Sequence, residues 1–178
     1  MPMTRRTVTR RTVTRRTVTR RTVTRRSLLS GLALGPVAFQ FGFAYAGEAF
    51  AVTHSEAEWR KKLTPDQFAV LRQDGTEPAF TSALLNEHRH GTFACAGCDL
   101  ALYASDTKFD SGTGWPSFWQ PLDQATATHD DAAHGLQRTE VHCSRCGGHL
   151  GHVFTDGPKP TGLRYCMNGV ALTFHPMA

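Results

Sequence analysis

Two Cys-x-x-Cys segments constrain this chain more than any other feature of its sequence. Cys95–Cys98 and Cys143–Cys146 are separated by 44 residues. Together they supply four thiolates, the ligand set of a closed tetrahedral zinc site. Such a site would hold two distant segments together and can contribute on the order of 10 kcal/mol to folding. Because four thiolates leave no open coordination position, we expect a structural zinc ion and not a catalytic one.

The same four cysteines also allow a different interpretation, since two disulfides or a redox-active pair would suit an exported protein. A redox motif of the thioredoxin type is expected within a strand–helix–strand pattern, and neither segment lies in one. The pairing of the two segments therefore favours zinc.

Charge is divided unequally along the chain. The sequence has a net charge of +5, but ten arginines lie within residues 1–26, so residues 27–178 carry a net charge of −5. Nucleic-acid binding depends on cations clustered on a folded surface, where they neutralise phosphates. This distribution argues against a nucleic-acid-binding protein.

The beginning of the chain, residues 1–51, is typical of a targeting segment. The pentapeptide TRRTV is repeated four times, and the uncharged apolar stretch Ser27–Gly47 follows. Small-residue motifs at Ala44–Ala46 and Ala49–Ala51 complete the pattern of a cleaved secretory signal, and Thr24–Leu29 resembles a twin-arginine export signal. We expect export to the periplasm. The alternative is a membrane anchor, because about 20 apolar residues can span a bilayer.

A single domain is expected over residues 55–178. Thr64–Pro65–Asp66 predicts the start of a short helix, with Phe68 and Leu71 on its apolar side, that ends before Gly75. Beyond it, short β-rich segments alternate with Gly, Pro and Asp, and no strand–helix–strand pattern appears. The sequence therefore predicts a mainly β, mostly antiparallel domain. Its candidate strands are Gly91–Ala96, Glu140–Ser144, Leu150–Thr155, Leu163–Asn168 and Val170–His175.

The fifth cysteine, Cys166, is the candidate nucleophile. In a strand, Arg164, Cys166 and Asn168 would share one face, and a cation and an amide beside a thiol can stabilise its thiolate. A lone cysteine is more often a small buried hydrophobe, so this assignment depends on the motifs around it.

Two histidines could supply proton transfer near neutral pH. In an ideal strand His152 and Asp156 share a face and His149 points away, but Gly151 could bend the strand and bring both imidazoles into one pocket. The alternative is that one histidine is a zinc ligand or a surface residue.

The loop Ser111–Trp119 contains two glycines, Pro116 and two indoles, which indicates a sharply shaped turn. Its aromatic side chains could simply fill the core. The functional interpretation is an aromatic wall that accepts a small apolar group.

Taken together, these motifs resemble the methionine-R-sulfoxide reductases of the B type. The resemblance covers roughly residues 55–176. It rests on the two Cys-x-x-Cys segments, SGTGWPSF at 111–118, HLGHVFTDGP at 149–158, RYCMN at 164–168 and a lead-in at 63–80. It implies a β-tent-like fold of two antiparallel sheets after a short N-terminal helical segment, with the structural zinc remote from the active site.

The resemblance also implies the chemistry. The substrate would be a methionine whose sulfur is oxidised in the R configuration, usually within an oxidised protein or peptide. The Cys166 thiolate would attack that sulfur and become a sulfenic acid. His152, with His149 and Asn168, would hydrogen-bond the oxygen and help protonate it.

Three further side chains receive roles from the same resemblance. Trp115 would pack against the methyl group of the substrate. Asp156 would orient the imidazole, and Arg164 would help to keep Cys166 ionised.

One position departs from the pattern. Many relatives carry a second, resolving cysteine in the SG-x-GWPS loop, and here that position is Thr113. The other four cysteines are assigned to zinc. We therefore expect a one-cysteine enzyme that is reset by an external thiol or a thioredoxin-like dithiol. We also expect it to be a monomer.

Two other functions are compatible with parts of this sequence. A zinc ribbon that binds a protein or nucleic acid would need only the paired cysteines. A Cys–His hydrolase would use Cys166 activated by a histidine.

Overall fold

The computed structural model describes residues 49–132 and 137–177. The arginine-rich repeats and the apolar stretch assigned to export lie outside these residues. Within the described part of the chain, none of the helices has the length and apolarity that a membrane span requires.

The predicted helix is confirmed as α2 (Pro65–Gln73). Thr64 accepts a hydrogen bond from the backbone N–H of Gln67, and the Gln67 side chain accepts one from the Thr64 N–H, which is a capping box. Phe68 and Leu71 are 5% and 1% exposed, so the apolar side of the helix packs into the core as expected.

A second helix, α1 (Glu56–Lys62), precedes it and was not predicted. This helix also starts with a capping box, which forms between Ser55 and Glu58. It buries mainly one side chain, Trp59, so it shows no apolar periodicity that sequence analysis could detect.

Two antiparallel sheets form the rest of the domain. The smaller has the strand order β2-β1-β9 and the larger the order β3-β4-β8-β7-β6-β5. The strands are β1 (Gly91–Cys95), β2 (Ala101–Ala104), β3 (Lys108–Phe109), β4 (Ser117–Phe118), β5 (Thr126–Asp131), β6 (Arg138–Cys143), β7 (His149–Phe154), β8 (Arg164–Met167) and β9 (Leu172–Pro176).

The five predicted strands correspond to β1, β6, β7, β8 and β9, with ends that agree within two residues. The mainly β, antiparallel fold class is confirmed. The strands that were missed include β3 and β4, of two residues each. Segments this short cannot show the alternation on which a strand prediction depends.

Aromatic side chains fill the space between the sheets. The rings of Tyr103 and Phe118 stack with centroids 4.3 Å apart, and Phe93 meets Phe118 edge-on at 5.0 Å. The buried Tyr103 hydroxyl donates to the sulfur of Met167 at 3.1 Å. Because Met167 follows Cys166 on β8, this packing supports the strand that carries the candidate nucleophile.

Candidate active site and metal centre

The two Cys-x-x-Cys segments adopt matching backbone turns. The N–H of Asp99 donates to the carbonyl of Cys95 at 2.8 Å, and the N–H of Gly147 donates to the carbonyl of Cys143 at 2.9 Å. Asp99 and Gly147 both have left-handed conformations, with φ of 58° and 64°. The two segments are therefore equivalent knuckles, each of which turns its pair of thiols toward the other.

The four sulfur atoms converge at a spacing suited to a metal. Cys95 Sγ lies 3.7 Å from Cys146 Sγ, and Cys98 Sγ lies 3.5 Å from Cys143 Sγ; all four lie within 4.8 Å of one another. Tetrahedral Zn–S bonds of about 2.3 Å place neighbouring sulfurs about 3.8 Å apart. A disulfide would need about 2.05 Å, and all five cysteines are free thiols.

The electrostatics of the cluster also favour a cation. Hydrogen bonds from Cys146, Cys95 and Cys98 lower the pKa of the Cys143 thiol. The reciprocal contact with Cys143 raises the pKa of the buried Cys95 thiol. Four thiolates at this spacing repel one another, so a divalent cation is what would allow all four to ionise together.

The knuckles join the two sheets. Cys95 ends β1 of the smaller sheet, whereas Cys143 ends β6 of the larger one. Arg72 of α2 donates to the carbonyl of Cys146 at 3.0 Å, and Arg145 donates across to the carbonyl of Cys98 at 3.3 Å. A metal here would clamp the sheets to each other and to the helical lead-in.

The larger sheet places the candidate catalytic groups in one cross-strand row. Cys166 of β8 pairs with Ser117 of β4 on one side and with His152 of β7 on the other. The row continues to Glu140 of β6 and His129 of β5. Because paired residues on adjacent strands present their side chains on the same face, the thiol and the imidazole lie side by side.

A β-bulge brings the second histidine to this face. Gly151 pairs with Val141, but His149 pairs with the next residue, His142, so Leu150 is the extra residue of β7. Gly151 has φ of 155°, and a Cβ there would collide with the carbonyl oxygen of Cys166. The His149 and His152 rings are 5.5 Å apart, which confirms that the strand bends at the glycine and brings the two imidazoles together.

Each histidine bonds to a different carboxylate, and neither is Asp156. His149 Nδ1 lies 2.6 Å from Glu140 Oε1, and His152 Nε2 lies 2.9 Å from Asp131 Oδ2. The expectation that Asp156 orients an imidazole is therefore wrong. Asp156 lies beyond the end of β7, where it faces the start of β8 instead of the histidines.

The contact with Glu140 determines which ring nitrogen of His149 can exchange a proton with a substrate. An ionised carboxylate on Nδ1 holds the proton there and leaves Nε2 as the atom that exchanges the proton of a reaction. The side chain is 3% exposed, and its Nε2 is buried without a hydrogen-bond partner among the described residues. A substrate oxygen would give this nitrogen its missing partner.

Arg164 links Asp156 to the nucleophile. Its Nε and Nη2 donate to the two oxygens of Asp156, both at 2.9 Å, and its guanidinium lies 4.4 Å from the centre of the Phe154 ring. The bond to Asp156 raises the pKa of Arg164, and negative charge on Cys166 raises it further. The guanidinium is thus held where it interacts with Cys166.

Glu77 bonds to two of the candidate site residues, and sequence reasoning missed it. Its carbonyl accepts from the indole N–H of Trp115 at 3.0 Å, and its N–H donates to Asn168 Oδ1 at 2.9 Å. Its carboxylate accepts from the backbone N–H groups of Gly169 and Val170. One acidic residue in the lead-in therefore positions both the indole and the end of β8.

Asn168 is held by the backbone around it. Besides the bond from Glu77, its Nδ2 donates to the carbonyl of Leu150, in the β7 bulge, at 3.1 Å. The side chain is 3% exposed. These contacts fix the loop and the bulge, and a direct bond from Asn168 to substrate stays a prediction.

Thr113 lies beside the nucleophile. Its Oγ1 is 3.7 Å from Cys166 Sγ and 2.8 Å from the hydroxyl of Ser111. The glycines on either side have φ of 70° and 89°, which shapes the loop that presents this hydroxyl. The position that departs from the SG-x-GWPS pattern is therefore in contact with Cys166.

The surroundings of His152 predict that its pKa is lower than the usual value for a histidine. Burial lowers its pKa below the usual 6.5, the bond to Asp131 opposes that shift and the charge of Arg138 adds to it. We expect an NMR titration of the ring to show Asp131→Asn lowering the midpoint further and Arg138→Gln raising it. The unfolded chain binds this proton more readily, so the free energy of unfolding should fall as pH drops below 6.5. A midpoint unaffected by both substitutions would contradict the contacts described.

Comparison with known proteins gives consistent matches. Residues 63–176 match the family model described as the SelR domain. A "peptide methionine sulfoxide reductase MsrB" from Leptospira interrogans is 55% identical over 126 residues, which cover 70% of this chain and 96% of that protein. Proteins of the same name from Agrobacterium fabrum and Thiobacillus denitrificans are 53% and 54% identical, over 71% and 68% of this chain and 94% and 93% of their own lengths.

Proposed function

This chain belongs to the SelR family of peptide methionine sulfoxide reductases, and we propose that it reduces the R epimer of methionine sulfoxide in proteins and peptides through the thiolate of Cys166. The observation that carries the proposal is the cross-strand register that sets Cys166 opposite His152. Beside this pair lies the buried Nε2 of His149, which has no hydrogen-bond partner among the described residues. The zinc-ribbon and hydrolase alternatives have no comparable support.

The first step transfers one oxygen atom. The Cys166 thiolate attacks the sulfoxide sulfur, and a proton is delivered to the sulfoxide oxygen. The new S–S interaction then collapses as the hydroxyl moves to the cysteine sulfur. The products are methionine and the sulfenic acid of Cys166, so the substrate sulfur is reduced by two electrons and the cysteine is oxidised by two. Arg164 stabilises the thiolate before attack.

His149 is the proton donor that the geometry favours. Glu140 accepts the Nδ1 proton at 2.6 Å, so the doubly protonated ring is the form that donates, and it gives its second proton from Nε2 to the oxygen. His152 is the nearer neighbour of Cys166 in the sheet, but its Nε2 is already bonded to Asp131. Burial lowers its pKa and so disfavours its protonated form, which makes it the less suitable donor and leaves it an orienting role.

Trp115 provides the apolar surface for the methyl group of the substrate. Its indole N–H donates to the carbonyl of Glu77 at 3.0 Å, which helps to hold the ring in this orientation. Phe80, on the same loop as Glu77, is 69% exposed, and its N–H donates to the carbonyl of Gly114 at 2.8 Å. The ring offers a second apolar surface beside the site for the residues that flank a peptide-bound methionine sulfoxide.

Thr113 determines how the enzyme is reset. A threonine cannot form a disulfide with the sulfenic acid, and the four knuckle cysteines are committed to the metal. An external thiol therefore attacks Cys166 to give a mixed disulfide and water. A second thiol, from the same dithiol or another molecule, releases Cys166 and leaves with the disulfide bond.

Introducing a cysteine at position 113 is expected to change this route. After one turnover without reductant, the wild-type protein should carry a sulfenic acid at Cys166, which dimedone traps. The Thr113→Cys variant should instead form a disulfide between positions 113 and 166, because the present Oγ1 lies 3.7 Å from Cys166 Sγ and flexible glycines flank it. Mass spectrometry of the trapped peptides distinguishes the two products.

Thr113→Ser is the matched control, since it keeps the hydroxyl and should behave as the wild type. An internal disulfide that involves Cys166 in the wild-type protein would overturn both the one-cysteine mechanism and the assignment of the knuckle cysteines to metal.

We also propose that the knuckles hold one structural zinc ion. The proposal rests on the sulfur spacing and on the closed set of four thiols. When bound, the ion supplies a crosslink between the sheets and takes no part in the redox step.

The cellular setting is proposed from the sequence alone. The basic repeats and the apolar stretch that follows support export to the periplasm, where a thioredoxin-like or other thiol reductant would be needed. A monomer is the expected state.

An assay with the two separated sulfoxide epimers and a dithiol tests the function. The R epimer should be consumed and the S epimer left intact. Equal consumption of both, or of neither, would overturn the proposal.

A further inference from the structure

A second group of metal-binding side chains lies at the outer end of the cross-strand row. His129, Glu140 and His142 each offer a ligand atom, and these atoms lie within 4.8 Å of one another. His129 on β5 pairs with Glu140 on β6, and His142 lies two residues further along β6. All three side chains therefore lie on the same face of the larger sheet, on its neighbouring strands β5 and β6.

The spacing of the two imidazoles suits a shared ion. The ring centroids of His129 and His142 are 5.5 Å apart. Two imidazoles bound to one ion through metal–nitrogen bonds of about 2.0–2.1 Å, at a tetrahedral angle, have centroids about 5 Å apart. His129 Nε2 already lies 2.7 Å from Glu140 Oε2, so an ion would replace the proton that these two atoms share.

The three side chains differ in burial: two are held inside the protein and one is open to solvent. The side chains of Glu140 and His142 are 10% and 4% exposed, whereas that of His129 is 58% exposed. Phe50 meets the His142 ring edge-on at 5.7 Å. The inner ligands are thus held by their surroundings, and the outer one can move to admit an ion from solvent and close on it.

We propose that His129, Glu140 and His142 form a second metal site, which takes a first-row divalent cation such as Zn²⁺ or Ni²⁺. Two imidazoles and a carboxylate are a donor set that these ions prefer, and solvent would complete the coordination. The site is separate from the four-cysteine knuckles and adjoins the active site, because the other oxygen of Glu140 is bonded to His149.

A neighbouring set of side chains is the less suitable alternative. Asp74, Glu140 and His149 also bring ligand atoms within 4.8 Å of one another. This set has one imidazole and two carboxylates, which suits these ions less well.

Calorimetric titration of the purified, zinc-loaded protein with Ni²⁺ tests the proposal. The Cys166→Ser background removes the reactive thiol as a competing ligand. We expect one equivalent of Ni²⁺ to bind in addition to the zinc already held, and His129→Gln to weaken that binding by about tenfold or more. His129 is exposed, so this variant should fold normally.

His175→Gln is the matched control. His175 also lies 2.7 Å from a carboxylate, that of Asp99, and its side chain is 52% exposed, but that pair belongs to no cluster of three ligands among the described residues. Its replacement should leave the affinity unchanged. Absence of a second equivalent, equal weakening by His175→Gln, or loss through Asp74→Asn with no effect of His129→Gln would each overturn the proposal.

Discussion

Replacing Cys166 with serine is expected to lower reduction of the R epimer by at least about 10⁴-fold, the scale on which loss of a catalytic nucleophile is felt. Serine keeps the size and position of the side chain, but its hydroxyl has no accessible anion near neutral pH and cannot accept the sulfoxide oxygen as a stable sulfenic acid does. The measurement is the single-turnover yield of methionine from the R epimer.

The fold should not change in this variant. Cys166 is only partly buried, and its contact with Thr113 at 3.7 Å is a weak one. We expect the free energy of unfolding to stay within about 0.5 kcal/mol of the wild type, with one zinc per chain retained. Residual activity near the wild-type level would place the nucleophile elsewhere and would remove the basis of the proposed mechanism.

Loss of the knuckle metal should have the largest effect on stability. A structural zinc can contribute about 10 kcal/mol, and a domain of this size is stable by only about 5–15 kcal/mol in total. Removal of the metal with a chelator, or the Cys143→Ser substitution, should therefore leave the domain largely unfolded at 37 °C. Circular dichroism during thermal unfolding, together with metal analysis, measures both quantities.

The reason lies in how the sheets are joined. Cys95 and Cys143 end strands of different sheets and are 1% and 0% exposed. Without an ion, the four knuckle thiols are too far apart to form a disulfide and too close together for all four to be charged. Cys166→Ser is the matched control, because it makes the same chemical change at a cysteine outside the cluster. A metal-free protein with an unchanged melting temperature would contradict the structural role.

Local chemistry explains what the sequence predicted well. A Cys-x-x-Cys segment turns back on itself within a few residues, so the knuckle thiols could be identified without knowledge of the fold. The start of α2 depends equally on local residues, the N-cap Thr64 and Pro65 at the first helical position. Both ends of this helix were predicted correctly. The Cys166 motif, with Arg164 two residues before it, also depends only on strand alternation.

The bulge at Leu150 marks the limit of that reasoning. Gly151 suggested a bend, but the extra residue that turns His149 to the face of His152 exists only in the pairing with β6. Glu77 is a clearer case. It lies 91 residues from Asn168, and its bonds to that residue and to Trp115 arise because two distant loops pack together.

The sequence by itself was thus enough to identify the family, to predict Cys166 as the nucleophile and to predict that the four paired cysteines form a metal site, because each of these inferences depends on short motifs. Only the tertiary structure decided which carboxylates serve the histidines. Glu140 bonds to His149 and Asp131 to His152, while Asp156 is bound to Arg164. Strand order and register determine which carboxylate meets which histidine. Both result from packing between segments that are distant in the sequence, and no local pattern predicts that packing.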